Sequence, residues 1–208
     1  MKRKNIISTT LALCIILSAC TAPSVTTGNN NSNDTSILAC SGDSQSATVT
    51  PELTEGPYFS ANSPERTFLF EEGMAGTKLV ITGYVYSTDC QPVANALLDF
   101  WQADSNGVYD NSGYTLRGHQ FTDTNGRYEL TTVVPGIYPG RTEHIHLKLQ
   151  APNGRLITSQ LFFPESTQNE TDGIFDQGLL LVIQKSNEGL LGQVNFVVPD
   201  PYVRSFRI

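Results

Sequence analysis

The sequence has 208 residues, and its 20 acidic residues outnumber 13 basic ones, which gives a formal net charge of -7 at pH 7. A protein this acidic is not a general nucleic-acid binder, because binding to phosphates requires the opposite charge. Any anionic substrate would have to be attracted locally, by a bound metal ion or by a suitably placed arginine.

The N-terminus has the features of a secretory signal peptide. A basic start is followed by an apolar stretch from Ile6 to Leu17, which is too short to span a membrane. The stretch ends in Leu17-Ser-Ala-Cys20, which resembles a bacterial lipobox, the motif in which cleavage occurs before a cysteine that receives lipid. We expect residues 1–19 to be removed and Cys20 to be lipidated; an ordinary secretory signal cut nearby is the alternative.

Residues 20–49 are predicted to form a flexible tether. They are rich in Ser, Thr, Asn and Gly and contain few large apolar residues, so they cannot bury a core. Because Thr21 rather than an aspartate follows Cys20, the lipobox resemblance favours the outer membrane. We therefore expect a protein of the bacterial cell envelope that contacts the membrane through its lipid anchor only, or else a secreted protein.

The four cysteines predict one disulfide bond. Cys14 leaves with the signal peptide and Cys20 is the expected lipidation site, which leaves Cys40 and Cys90. Disulfides form and persist in oxidising compartments outside the cytosol, so these two cysteines are expected to pair.

Residues 50–208 are predicted to form one all-β domain. Short runs rich in β-branched and aromatic residues alternate with turns rich in Gly, Pro, Asn and Asp. The predicted strands are Leu79–Tyr86, Ala96–Trp101, Arg127–Val133, His144–Leu149, Leu156–Phe163 and Gln193–Val198. Thr124-Asn-Gly126 carries the signature of a hairpin turn. Helical periodicity is weak, with a helix left open only within residues 165–190, so the pattern predicts a β-sandwich with long active-site loops and little helix.

Two of the three histidines form the strongest local signal. On a β-strand, His144 and His146 project from the same face while Ile145 points away. That arrangement suits two ligands of one metal ion, and Tyr138 and Arg141 lie just upstream. Imidazole combined with phenolate oxygen suits a ferric ion better than a structural zinc.

Four stretches of the domain resemble the intradiol ring-cleavage dioxygenases, the family of catechol, hydroxyquinol and protocatechuate dioxygenases. In chain order they are Thr50–Tyr58, Ala96–Asp104 with Gly107-Val-Tyr109, the stretch from Arg117 to Tyr128, and Pro135–His146. The resemblance covers residues 50 to 165 well and the last forty residues poorly. It implies a non-haem Fe(III) cofactor, a small aromatic diol as substrate and O2 as co-substrate.

The resemblance assigns roles to individual residues. It implies that Tyr109, Tyr138, His144 and His146 are the iron ligands, and that Tyr138 leaves the iron when substrate arrives. Tyr114 is the competitor for the position of Tyr109.

By the same resemblance, Arg141 matches a catalytic arginine that stabilises negative charge on the substrate. The alternative is that Arg141 pairs with Glu143 or another acid. Gln160 and Tyr58 match positions that contact the substrate.

Two rival hypotheses remain open at this stage. In the first, His119, His144 and His146 form a three-histidine zinc or copper site, although the spacing of Tyr138 and Arg141 speaks against it. In the second, the domain is a non-catalytic β-sandwich binding module, although the complete ligand set argues against it. The resemblance includes no counterpart of the helical N-terminal region with which catechol dioxygenases dimerise, so a homo-oligomer is also left open.

Overall fold

The computed structural model describes residue 40 and residues 47–199, which are built almost entirely from β-strands. The strands are β1 (Lys78–Tyr86), β2 (Leu97–Trp101), β3 (Arg117–Phe121), β4 (Arg127–Val133), β5 (His144–Gln150), β6 (Ile157–Phe162), β7 (Val182–Ser186), β8 (Gly189–Gln193) and β9 (Phe196–Val197). The one helical element of the described residues is a 3-10 turn at Gln177–Leu179. The prediction of an all-β fold with little helix is confirmed.

The strands form two sheets that pack face to face as a β-sandwich. The five-stranded sheet has the order β4-β1-β8-β7, with β9 also paired to β1, and the four-stranded sheet has the order β3-β2-β5-β6. Strand β1 is antiparallel to β4 and parallel to β8 and β9. The four-stranded sheet is antiparallel throughout.

The core lies between the sheets because apolar residues alternate along the strands. Leu79, Ile81 and Val85 of β1 are fully buried, whereas their neighbours in the strand are more exposed. The four-stranded sheet contributes Leu98, Phe100, Ile145, Leu147 and Leu149 to the same cluster. Burying one such side chain stabilises the fold by about 1.5–3 kcal/mol.

Strand β5 is buried on both of its faces. Ile145, Leu147 and Leu149 enter the core, and the alternate residues His144, His146 and Lys148 lie on the opposite face of the sheet, also buried. Loops cover that second face: the amide of Gln160 donates to the carbonyl of Thr54, for example, and Arg141 pairs with Asp172. The candidate site therefore lies under loops on the outer face of the four-stranded sheet.

Two details of the strand prediction are wrong. The predicted strand Gln193–Val198 is divided between β8 and β9, because the side chain of Asn195 accepts from the amide of Tyr84 where the pairing with β1 is interrupted. The carbonyl oxygen of Val194 lies 1.7 Å from where a Cβ on residue 83 would be, so only a glycine permits this close approach. The turn at residues 124–126 is not a hairpin, because it joins β3 and β4 of different sheets.

The disulfide between Cys40 and Cys90 is present. It closes a loop of 50 residues, which the chain-entropy description values at about 4 kcal/mol. The expected signal peptide, Cys20 and most of the tether lie outside the described residues. Within the part of the chain that the structure describes, no helix is both long and apolar enough to cross a bilayer.

Candidate metal centre

The four side chains predicted to bind metal come together at one point. His144 and His146 project from β5, Tyr109 comes from the loop after β2, and Tyr138 comes from the loop after β4. The Nε2 atoms of the two histidines are 3.1 Å apart, and the Tyr138 hydroxyl is 3.3 Å from Nε2 of His144. The Tyr109 ring centroid is 5.8 Å from that of Tyr138 and 6.3 Å from that of His146.

Both imidazoles are neutral and able to bind a cation. Nδ1 of His144 donates to the carbonyl oxygen of Thr142 at 2.7 Å, which leaves a lone pair on Nε2. Burial lowers the pKa of His144 to about 4. Burial, followed by the neighbouring His144, lowers the pKa of His146 well below its usual value.

The surroundings of Tyr109 also fit a bound cation. Its hydroxyl is buried without a hydrogen-bond partner, as is Nδ1 of His146. Burial, followed by the nearby Tyr138, raises the pKa of Tyr109 far above the usual value. A buried polar group without a partner is costly, and a metal ion that converts the phenol to a phenolate would remove that cost.

The spacing and chemistry of the donors agree with an ion that accepts phenolate and imidazole ligands. The donor atoms, which are 3.1 and 3.3 Å apart, are close enough to bind one ion together. Among residue 40 and residues 47–199, no three His, Cys, Asp or Glu side chains cluster as a metal site. The candidate donors at this point are two tyrosine hydroxyls and two imidazoles.

Neighbouring residues fix the position of His146. Trp101 lies directly opposite His146 in the pairing of β2 with β5, and its indole stacks on the imidazole. Gly56 also lies against the imidazole of His146, because a Cβ on residue 56 would be 3.5 Å from its Cε1 atom. The φ of Gly56 is +68°, a left-handed conformation that favours glycine.

The ring of Tyr58 flanks Tyr109 and Tyr138. The Tyr58 ring stacks on Tyr109, with centroids 4.4 Å apart, and meets Tyr138 edge-on. The fully buried Arg117 fixes the backbone at Tyr58, because its guanidinium donates to the carbonyl oxygens of Tyr58 and Asp110. Arg117 belongs to a stretch that carries the resemblance, but no local motif indicates this supporting contact.

Arg141 is held at the edge of the centre by three side chains. Its Nε donates to Asp172 at 2.9 Å, one terminal nitrogen donates to Gln160 at 2.5 Å, and the other is 3.4 Å from the Tyr138 hydroxyl. Its acidic partner is thus Asp172 rather than Glu143. No sequence signal pointed to Asp172, because it lies in the segment where the resemblance is poor.

Gln160 is fully buried, and both ends of its amide are occupied. Its oxygen accepts from Arg141 and its nitrogen donates to the Thr54 carbonyl. This geometry favours a role in holding Arg141 over the predicted contact with substrate.

The two competing residues, Tyr114 and His119, make contacts elsewhere. The hydroxyl of Tyr114 donates to the carbonyl of Ala61 at 2.9 Å, and its ring is partly exposed. Nδ1 of His119 is 3.1 Å from the Ser63 hydroxyl, which also donates to Asp99. The structure therefore favours Tyr109 over Tyr114 and gives no support to the three-histidine alternative.

Comparisons with known proteins agree with this architecture. A family model described as Dioxygenase matches residues 54–198. The dioxygenase domain of a dioxygenase carbohydrate-binding protein fusion from Streptomyces sp. SirexAA-E has 47% sequence identity and a TM-score of 0.72, covering 73% of this chain and 99% of that one. An intradiol ring-cleavage dioxygenase from Tetranychus urticae has 28% identity and a TM-score of 0.67, covering 77% of this chain and 98% of the other.

Similarity to longer enzymes is partial. Catechol 1,2-dioxygenase 2 of Acinetobacter lwoffii is 32% identical over 138 residues, which are 54% of this chain and 50% of that enzyme. The chain thus spans about half the length of the curated relatives it matches.

Proposed function

The chain belongs to the intradiol dioxygenase family, and on this basis we propose that it is a non-haem Fe(III)-dependent enzyme that opens the ring of a catechol-type aromatic diol with O2. Both oxygen atoms enter the product, as the ring opens between its two hydroxylated carbons. Such an activity serves the breakdown of aromatic compounds. The observation that supports the proposal most is the convergence of two tyrosine hydroxyls and two neutral imidazoles.

In this proposal Tyr109, Tyr138, His144 and His146 hold the iron. Two phenolates and one hydroxide would balance the charge of a ferric ion, which suits a site without carboxylate ligands. A ferric ion held by these residues would supply Lewis-acid and redox chemistry towards the diol and O2. The substrate is itself a pair of phenols, so its oxygens resemble the tyrosine ligands.

Tyr138 and Tyr109 have different surroundings and therefore different roles. Tyr109 is only 7% exposed and is stacked under Tyr58, so it is the fixed ligand. Tyr138 is only partly buried, and its hydroxyl lies beside Arg141. We assign to the Tyr138 oxygen the acceptance of a proton from the entering diol, after which the phenol can move away from the centre.

Arg141 supplies positive charge at the edge where the substrate binds. Three of its five N–H donors are directed towards Asp172, Gln160 and Tyr138. The remaining donors can stabilise negative charge that develops on the substrate, since a guanidinium stays charged at any relevant pH. Tyr58 provides an apolar wall for the aromatic ring.

We also propose that the enzyme is anchored to the bacterial cell envelope through lipidated Cys20, with residues 20–49 as a tether. The proposal is supported by the lipobox resemblance of Leu17-Ser-Ala-Cys20. The disulfide between Cys40 and Cys90 agrees with an oxidising compartment. A homo-oligomer is compatible with this arrangement but is not required by it.

The test of the proposed activity is oxygen uptake by the purified, iron-loaded protein with a panel of catechols, hydroxyquinol and protocatechuate. We expect uptake with at least one of these diols, one O2 per ring opened, and a visible absorption band from iron-bound tyrosinate. Replacing His146 with Ala should abolish uptake, whereas the matched variant Tyr114→Phe should retain it. A colourless protein that consumes no O2 with any of the diols would favour a binding module instead.

A further inference from the structure

The loop between β6 and the 3-10 turn, residues 163–176, is joined to the segment that carries Arg141 by side-chain hydrogen bonds. The Thr142 hydroxyl lies 2.7 Å from both the Ser166 hydroxyl and Oδ1 of Asn169. Asn169 in turn donates to the carbonyl of Phe163 at 2.9 Å. In the same loop, Asp172 forms an ion pair with Arg141 at the edge of the candidate metal centre.

Asp172 is held rigidly by the backbone on both sides of the contact. Its Oδ2 accepts from the amide of Thr142 at 2.9 Å, and its Oδ1 accepts from the amide of Ile174 at 2.9 Å. The carboxylate side chain is only 1% exposed. Its position is therefore fixed independently of the arginine that it binds.

The contact with Arg141 orients the guanidinium plane. Asp172 accepts from Nε, the donor closest to the backbone, at 2.9 Å. This bond leaves the two terminal nitrogens free to point towards Gln160 and Tyr138. A guanidinium held only at its terminal nitrogens could rotate about its long side chain, whereas a bond at Nε fixes the plane.

The charge of the carboxylate is stable in this setting. Burial acts to raise the pKa of Asp172, but the amides of Thr142 and Ile174 and the guanidinium of Arg141 outweigh it, so the pKa lies below its usual value. Asp172 is thus an anion at neutral pH, and its bond to Arg141 is charge-assisted.

We propose that Asp172 is a positioning residue, which holds the guanidinium of Arg141 in its working orientation and so makes turnover dependent on the loop of residues 163–176. The proposal rests on the proposed function for its effect on turnover. Asp172 does not touch substrate in this account and acts only through Arg141. The competing explanation is that Asp172 merely fastens the loop.

The first test compares Asp172→Asn with the matched control Asp176→Asn. Asp176 is the last residue of the same loop and accepts from the amide of Gly178, so the control likewise replaces a carboxylate that is bound to a backbone amide. We expect kcat to fall by about 10- to 100-fold in Asp172→Asn, with KM and iron content near those of the wild type, since supporting residues of metal sites have effects of this size. Asp176→Asn should keep the wild-type kcat.

A double-mutant cycle separates positioning from fastening. If Asp172 acts through Arg141, Asp172→Asn should change kcat by less than about 2-fold in an Arg141→Ala background. An equal loss in both backgrounds would overturn the proposal. If Asp172→Asn does not fold, Asp172→Glu keeps the charge but displaces it, and the same cycle applies.

A crystal structure of the Asp172→Asn protein gives a readout that does not depend on activity. We expect the Arg141 guanidinium to leave Gln160, lengthening a contact that is 2.5 Å in the wild type. An unmoved guanidinium would overturn the positioning role even if the wild type proved inactive. Inactivity of the wild type towards every diol would instead count against the proposed function alone.

Discussion

The indole of Trp101 lies parallel to the imidazole of His146, with ring centroids 4.8 Å apart and ring planes 8° apart. Nδ1 of His146 has no hydrogen-bond partner, whereas Nδ1 of His144 is bound to the carbonyl oxygen of Thr142. The two candidate ligands from β5 are therefore oriented by different means. A hydrogen bond fixes His144, and aromatic stacking fixes His146.

This difference predicts that Trp101 is needed for metal affinity. Trp101→Leu should weaken iron binding by about 10-fold or more, because the His146 ring loses its support, and should destabilise the protein by about 3 kcal/mol. Trp101→Phe should retain most of the affinity, since a smaller ring can still stack. Iron affinity can be measured by competition with a chelator, and stability by urea unfolding.

Phe100→Leu is the control for Trp101, because Phe100 precedes it in β2 and points into the core instead. This variant should lose stability and keep its iron affinity. If both variants lose affinity in proportion to their loss of stability, stacking on His146 has no separate role.

The two tyrosines are predicted to give different defects when changed to phenylalanine. Tyr138→Phe should retain iron with a weaker visible band and react slowly, because the group that accepts the substrate proton is gone. Tyr109→Phe should lose more iron, since Tyr109 is the buried, fixed ligand. Iron content, visible spectra and oxygen uptake would be compared with those of Tyr114→Phe, and identical behaviour of the first two variants would contradict the division of roles.

Arg141→Ala should bind iron normally and lose rate. The expected loss is about 3 kcal/mol in the activation barrier, the size seen for other preorganised electrostatic groups. Iron content by elemental analysis and kcat by oxygen uptake test this directly. Loss of iron in this variant would mean that Arg141 supports the metal ligands rather than the substrate.

The sequence predicted the part of the site that depends on strand geometry and local motifs. His144 and His146 share a face because side chains alternate along β5, and that alternation is visible in the residue order. Asp172 was not predictable, because the contact joins residues that are 31 positions apart through an irregular loop. Asp172 is one of several acidic residues in this polar loop, and no periodicity or spacing in the sequence marks it as the partner of an arginine.

The two errors in the strand prediction also concern contacts between distant parts of the chain. The Asn-Gly turn at residues 124–126 was recognisable, but which sheet each flanking strand joins depends on tertiary packing. The break between β8 and β9 depends on the bond from the amide of Tyr84 to the side chain of Asn195, and these residues are more than a hundred positions apart. Long-range contacts of this kind leave little trace in local sequence.

The burial of His144 predicts how stability depends on pH in the metal-free protein. Its pKa is about 4 when folded and 6.5 ordinarily, so between these values the unfolded chain binds more protons. The contribution of His144 to the free energy of unfolding should therefore be fully present above pH 6.5. It should decrease towards pH 4, by about 3 kcal/mol in total. Urea unfolding across this range should show a smaller decrease for His144→Gln, and an unchanged slope would contradict the prediction.

The lipobox resemblance predicts the fate of Cys20. Cys20→Ser should release the protein from the membrane fraction, because the residue that receives lipid is gone. Fractionation and mass spectrometry of the mature N-terminus would test this. A variant that stays with the membrane and still carries lipid would contradict the assignment.

The proposed reaction opens the ring between its two hydroxylated carbons and retains both atoms of O2 in the product. Mass spectrometry of the product formed from catechol under oxygen-18 gas tests it most directly. We expect a six-carbon dicarboxylic acid with one labelled oxygen in each carboxyl group. A product containing an aldehyde, or a ring-opened acid that lacks the two labels, would contradict it.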